Sequence, residues 1–487
     1  MLLATAGAQG VAYRERWGYL QLEARRAEVR AGLVLRDAAM QERIATLLGE
    51  PDGGMPFLPL AKALAALRGV DADPAFVLRT TISAFVLPEV CDPDGKNEGC
   101  RTTNVSLFVP FAVPQPAPVT FVVEVTDLAG KVVWSTTIER DTEERDLRQA
   151  RPSVRVPCEQ LGDGAWRVVV RTLLDGKAPR EHDPTCSWTF HVLRGYQARA
   201  EAAMLAAQAA EPLLSVVPRA WLLGARAEVH RAYTGETFAV ASDAVHDLER
   251  LERLLANLQA DRAVDEGLTG DGLLALPVDG GPPLTAVLRR AAATGPRPLV
   301  VLVGGSPVFD TKGSRPTAPA TRDPRWLAHE FAGFDAERHW HVAWLESPGL
   351  GRDYAVQLRA SLPLLSQIVG GIAGKSLLVC EREAASIVGL RIGDYRDLVA
   401  GFVGVGGGAM AGPALLALGP LPVRLAAVRG FGEESLQRVI DFAALQQGKP
   451  EWRGDIAWLG PERPPWPWAL PALQGPIEAF ARRLFAR

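Results

Sequence analysis

An excess of charge of either sign is missing from this sequence: 53 Lys and Arg stand against 56 Asp and Glu in 487 residues, a formal net charge of -3. Without a basic surface that could release counterions from a polyanion, a nucleic-acid partner is not expected. Long apolar runs are also missing; none reaches the ~18–20 residues that span a bilayer, so no transmembrane helix is expected. Histidine is scarce, with 7 residues, and none follows His341. The five cysteines, Cys91, Cys100, Cys158, Cys186 and Cys380, never fall at the C-x-x-C spacing of zinc and redox sites. Neither a metal nor a cofactor is expected.

What remains is the composition of a globular chain. Hydrophobic residues make up 48% and charged residues 22%, enough for sizeable cores, and the length leaves room for two to four domains. Four of the five cysteines cluster between 91 and 186. That clustering suggests a local disulfide framework, with Cys91 to Cys100 and Cys158 to Cys186 as the expected bridges, the first closing a short loop rich in Asp, Gly and Asn. The alternative is a set of reduced, buried thiols. Small-residue pairs at Ala4-x-Ala6 and Ala6-x-Ala8 resemble the end of a signal peptide without its basic start. An extracytoplasmic location, periplasmic or secreted, is the resulting expectation.

Four segments follow from the patterning. Residues 1–72 form a helical N-terminal segment, interrupted by the loop Pro51-Asp-Gly-Gly54. Residues 73–194 carry short β runs at 105–109, 120–125, 131–135, 166–171 and 187–192, separated by turns such as Gly162-Asp-Gly164. This is the pattern of an immunoglobulin-like antiparallel sandwich. Residues 195–264 read as a helical linker, in which Val245, Leu248, Leu251, Leu254, Leu255 and Leu258 share one face. Residues 265–487 alternate strands (299–303, 341–345, 376–380, 401–405, 423–428, 455–459) with helices. That alternation predicts an α/β domain with a mostly parallel sheet.

In such a sheet, ligands bind beyond the carboxyl ends of the strands. Three loops there are distinctive: Val303-Gly-Gly-Ser-Pro307, where Gly304, Gly305 and Ser306 could let backbone amides approach an anion; Cys380-Glu-Arg-Glu-Ala384, a sharp passage into a helix; and Arg429-Gly-Phe-Gly-Glu-Glu434, with two carboxylates.

Taken in order, these pieces resemble the α/β-hydrolases, of the secreted esterase, depolymerase-like or predicted-peptidase type. Arg297-Pro-Leu-Val-Val-Leu-Val-Gly-Gly305 is similar to the strand and oxyanion loop ending in His-Gly, and Lys375-Ser-Leu-Leu-Val-Cys-Glu-Arg-Glu-Ala-Ala385 aligns without gaps on the nucleophile elbow Gly-His-Ser-x-Gly-Gly. Ala400–Gly408 and Pro422–Val428 match the two strands that follow. The resemblance implies a serine hydrolase, but the chain departs from it where the chemistry would lie. Arg382 stands at the serine position, Cys380 and Ala384 stand at the glycines, and Val303 replaces the oxyanion histidine. Glu433 or Glu434 could keep the acid position, while no histidine follows the last strand.

Other residues carry groups capable of chemistry. Cys380 ends an apolar strand and reads as an inert buried thiol rather than a nucleophile. Ser306 and Ser386 have no visible base. His339 and His341, with His329-Glu330 nearby, sketch a metal site with no carboxylate set to complete it. Arg382 between Glu381 and Glu383 is either ion-paired or a receptor for an anionic ligand. Trp452, Trp458, Trp466 and Trp468 either cover a core edge or form a sugar- or aromatic-binding platform. The expectation is a catalytically degenerate α/β-hydrolase-like protein that binds or scaffolds, with an unknown protein, small-molecule or glycan partner. The alternative is an active esterase or peptidase with a non-standard constellation.

Overall fold

The computed structural model describes residues 83–87, 90–96, 101–108, 119–140, 153–174, 186–234, 244–266, 272–277, 283–293, 295–304, 324, 327–328, 331, 333–345, 354–407, 419–427, 433–449, 453–460 and 473–486. The expected helical segment 1–72 lies outside them. Two compact units emerge: one holds residues up to 209 together with 226–253, the other 210–225 together with 254–487.

The described residues of the first unit form eight strands in two sheets. Strands β1 (Ser83–Leu87), β3 (Thr103–Phe108) and β6 (Ser153–Val156) form a three-stranded sheet; β2 (Val90–Cys91), β8 (Cys186–Val192), β7 (Gly164–Leu174), β4 (Val119–Thr126) and β5 (Val132–Arg140) form a five-stranded one. All pairings are antiparallel except that of β2 with β8. Alternation explains the layering: in β4, Phe121, Val123 and Val125 are buried while Thr120, Val122 and Glu124 are half-exposed, as a period of two requires when one face meets a core. Val105 and Val156 from the smaller sheet join Phe121, Val123, Val125, Val168, Val170, Phe190 and Val192 from the larger in one apolar cluster. The two sheets therefore share a core.

Helices follow the sandwich: α1 (Tyr196–Ala210), α2 (Val216–Thr234) and α3 (Ala244–Gln259). Within the first unit, Asp92 ties the strand region to α1, its carboxylate accepting from the backbone amides of Gly195 at 3.1 Å and Gln197 at 2.9 Å. On α3, Leu248, Leu251, Leu254 and Leu255 are buried, and Val245 and Leu258 half-buried. The stripe predicted from spacing is core. The described residues of 195–264 include these three helices, and they are divided between the two units.

The second unit is built on an eight-stranded sheet in the order β16-β15-β14-β13-β11-β12-β10-β9. These are β9 (Gly272–Leu276), β10 (Leu284–Arg289), β11 (Leu299–Val303), β12 (His341–Leu345), β13 (Ser376–Glu381), β14 (Gly401–Val405), β15 (Pro422–Ala426) and β16 (Asp455–Trp458). From β12 to β16 every neighbour is parallel, whereas β10 runs antiparallel to both β9 and β12. β11, β12, β13 and β14 are buried at every position, which is why they read as mostly apolar runs rather than polar–apolar alternation. Around them lie α4 (Tyr354–Val369), α5 (Arg382–Gly389), α6 (Glu433–Gln446) and α7 (Gln474–Phe485).

Packing at the sheet margins is tight. On α2, a Cβ added at Gly224 would lie 2.2 Å from the Leu273 carbonyl oxygen, so only glycine lets the helix backbone meet β9 this closely. At the opposite edge Arg424 of β15 grips Asp455 of β16 through two bonds of 2.9 and 3.2 Å. Its guanidinium also lies 5.0 Å from the centre of the Phe480 ring of α7. No described helix is long and apolar enough to cross a membrane.

Candidate functional site

β13 lies in the middle of the parallel sheet and delivers the chain into α5 through one residue, Arg382. Its φ is 51°, in the left-handed region that a residue bearing a Cβ rarely adopts. Such a conformation costs about 1–3 kcal/mol and persists only where its surroundings enforce it. The surroundings here are visible. Glu381 pairs with Val405 at the end of β14, and two residues on, Gly407 lies directly against the turn. A Cβ on Gly407 would stand 2.1 Å from the Arg382 carbonyl oxygen and 3.0 Å from the Ser386 hydroxyl. The elbow therefore depends on a glycine in the adjacent strand-end loop. Gly406, with φ 62°, gives its amide to the Ala426 carbonyl at 2.9 Å, pinning that loop to β15.

Helix α5 is short and is held from behind. Its last turn runs into a 3-10 turn over Ile392–Tyr395, and the Tyr395 hydroxyl donates to the Ala355 carbonyl of α4. Burial raises the Tyr395 phenol pKa, so the hydroxyl stays a donor. Cys380, at the carboxyl end of β13, is wholly buried and desolvation pushes its thiol pKa up. A thiol kept protonated in an apolar strand is a poor nucleophile, in keeping with the inert role expected for it.

Arg382 itself is 8% exposed, and its Nη2 lies 3.7 Å from Glu383 Oε1. The guanidinium sits at the elbow in contact with a neighbouring carboxylate. A guanidinium has five donors and no accepting lone pair, and does not deprotonate in proteins. It can hold an anion, but it cannot attack a carbonyl carbon.

The remaining candidates distribute as follows. Gly304 is buried immediately after β11, while Gly305, Ser306, Trp452, Trp466, Trp468, His329 and Glu330 lie outside the described residues. Trp458 is half-buried on β16. Glu433 opens α6; Glu434 is exposed one residue on and pairs with Arg438 at 2.5 Å on the helix surface. Ser386, on the first turns of α5, is half-buried against Gly407.

The two histidines lie at the other end of the sheet. His341 opens β12 in register with Leu299 at the start of β11, whereas the elbow follows Cys380, which pairs with the last residue of β11. One strand length, about 13 Å at ~3.3 Å per residue, separates the two levels. His341 accepts a hydrogen bond at Nδ1 from the Ala291 amide (3.1 Å), so its proton is on Nε2. Burial, together with the Arg290 and Arg297 charges, lowers its pKa. His339 is held between Asp335 (2.7 Å) and Glu337 (3.0 Å) in the turn before β12. The histidines are thus committed separately, and among the described residues no group of three His, Cys, Asp or Glu side chains could hold a metal.

The cysteines differ from the expected framework. Cys91 and Cys158 are free, buried thiols and are each other's hydrogen-bond neighbours. Neither thiol is bridged in the structure, and the expected pairings were Cys91–Cys100 and Cys158–Cys186. The sandwich sets β2 against the turn that follows β6, whereas sequence proximity favoured Cys100. Cys100 and the side chain of Cys186 lie outside the described residues.

No protein-family model matches the sequence, and no curated protein matches it. Solved structures similar to part of the chain are α/β-hydrolases. A 2,6-dihydroxy-pseudo-oxynicotine hydrolase matches with TM-score 0.32 and 11% identity, over 60% of this chain and 86% of its own. An esterase solved with p-nitrophenol matches with TM-score 0.31 and 12% identity, over 54% and 93%. An S-formylglutathione hydrolase from Staphylococcus aureus gives 0.31 and 7%, over 45% and 100%. The bearing on chemistry comes from this chain's own strand–elbow–helix geometry, the feature on which hydrolases of this fold mount their nucleophile.

Proposed function

We propose that this protein is a catalytically degenerate member of the α/β-hydrolase fold, acting outside the cytoplasm in a binding or scaffolding role. The observation that carries this reading is Arg382: the strained elbow that presents a serine in an active hydrolase carries a buried guanidinium instead. Acyl transfer needs a nucleophile, a base beside it and a base-orienting group, acting as a unit. Among the described residues, the elbow position carries no serine and no histidine stands beside it. Both described histidines of the sheet unit lie one strand length away and are already engaged. What the elbow retains is a cation on a rigid turn, suited to an anionic group of a protein, small-molecule or glycan partner once Glu383 gives way. The first unit fits this role as an immunoglobulin-like sandwich, with three and five strands around a common core, a fold that commonly presents binding loops.

Turnover of p-nitrophenyl acetate and butyrate by the purified protein tests the reading. Rates equal to buffer are expected, and Arg382→Ser alone should leave them there, because the new hydroxyl would have no base. Saturable turnover abolished by Ser386→Ala would instead support an active hydrolase with a non-standard constellation.

A further inference from the structure

The core of the sandwich contains two sulfurs whose partnership neither the sequence spacing nor the fold's hydrolase likeness suggested. Cys91 ends β2 in the five-stranded sheet; Cys158 opens the short 3-10 turn Cys158–Gln160 that follows β6 in the three-stranded sheet. Both are fully buried, both belong to the same apolar cluster, and the two thiols are within hydrogen-bonding reach of each other. Cys91 Sγ also donates to the Arg101 carbonyl at 3.2 Å. Strand-end backbone bonds hold each cysteine in place: Leu193 N donates to Cys91 O at 2.9 Å, and Leu161 N to Cys158 O at 3.1 Å. Random thiols in a core are dispersed; these two meet across the gap between the sheets.

We propose that Cys91 and Cys158 are the sites of a disulfide that staples the two sheets of the sandwich together, formed while the chain folds in the presence of a disulfide-class oxidant. The thiolate of one cysteine attacks a sulfur of the external disulfide RSSR, forming a mixed disulfide and releasing one RSH. The second thiolate then attacks the protein-side sulfur and releases the other RSH. Two protein S–H bonds are lost, one S–S bond is made, and the oxidant is reduced by two electrons to two thiols. Either cysteine can attack first, since the step requires only that one of the two be exposed as a thiolate while the chain is open. Because both sulfurs are buried in the folded unit, exchange belongs to the folding or locally opened chain. The bond closes a loop between residues 67 apart (158 − 91), long enough for a large constraint on the unfolded chain.

The test refolds the full-length chain in a mixture of oxidised and reduced glutathione, traps free thiols with iodoacetamide, and maps the digested peptides by mass spectrometry. A peptide pair joining Cys91 to Cys158, two hydrogens lighter than the sum of its parts and lost on reduction, is expected. Recovery of both cysteines alkylated, or a bridge from Cys91 to Cys100 or from Cys158 to Cys186, would overturn the proposal. Oxidised protein should melt higher than reduced protein, by on the order of 10 °C for the sandwich transition, and the Cys91→Ser/Cys158→Ser variant should show no redox-dependent shift. If that variant does not fold, Cys100→Ser/Cys186→Ser decides: the 91–158 peptide must persist in it, and its disappearance would contradict the pairing.

Discussion

Arg382 holds a backbone conformation from which arginine gains nothing. Among the described residues only Asp261, Asp335 and Arg338 share a positive φ without being glycine, and those three sit in turns, where short or solvated side chains tolerate it. Replacing Arg382 with glycine should relieve about 1 kcal/mol of strain, offset by the loss of its contact with Glu383. Urea unfolding of the variant should therefore show a change within about 1 kcal/mol of zero. A loss beyond about 3 kcal/mol would mean that the guanidinium, not the turn, organises the site. Gly407 is the converse case. A methyl there would press on the Arg382 carbonyl at 2.1 Å, and backbone cannot yield as a side-chain tip can. Gly407→Ala should destabilise the sheet unit by about 2–4 kcal/mol, measured in the same titration. The elbow's place was legible in the sequence because the residues 375–385 align on it without gaps. Its strain was not, because nothing in an arginine side chain announces a left-handed φ.

Among the elements, legibility followed the alternation of strands with helices. β11, β12, β13 and β14 were visible as apolar runs set between helical stretches; β9 and β10, nearly as buried and of similar length, were missed because they form an antiparallel pair around the turn-rich stretch Pro277-Val-Asp-Gly-Gly-Pro-Pro283, outside the strand–helix alternation. The pairing of Cys91 with Cys158 escaped for a related reason: it arises from two sheets meeting face to face, a relation absent from any local pattern. The approach of α2 to β9 was equally invisible and is open to test. Gly224→Ala places a Cβ 2.2 Å from the Leu273 carbonyl oxygen, and a loss of about 2–4 kcal/mol in urea unfolding is expected. Gly475→Ala, in α7 with nothing within 4 Å of the new methyl, should be neutral or stabilising by about 0.5 kcal/mol. Equal effects at the two sites would show that the close helix–strand approach is not what Gly224 secures.

For the whole molecule, pH acts through His341. Burial first, then Arg290 and Arg297, hold its folded pKa below the usual ~6.5, and protonating Nδ1 would break its bond from the Ala291 amide. The unfolded chain then binds the proton more readily than the folded one, so stability contributed by the neutral ring is complete above pH ~6.5 and is lost as pH falls below it, toward the lowered folded value. Between pH 7.5 and 5.5 this group should cost up to about 1 kcal/mol. His341→Asn should flatten that part of the profile, and an unchanged slope would place the sensitivity elsewhere. The central claim, that the hydrolase elbow no longer carries a nucleophile–base unit, is met most directly by a fluorophosphonate probe. Such a probe reacts covalently only with a hydroxyl activated by an adjacent base. Incubated with the native full-length protein and read by intact mass, it should leave the mass unchanged, and Arg382→Ser should likewise remain unlabelled. Stoichiometric labelling of the native protein, mapped to Ser386 or Ser306, would contradict the claim and restore the protein to the active hydrolases.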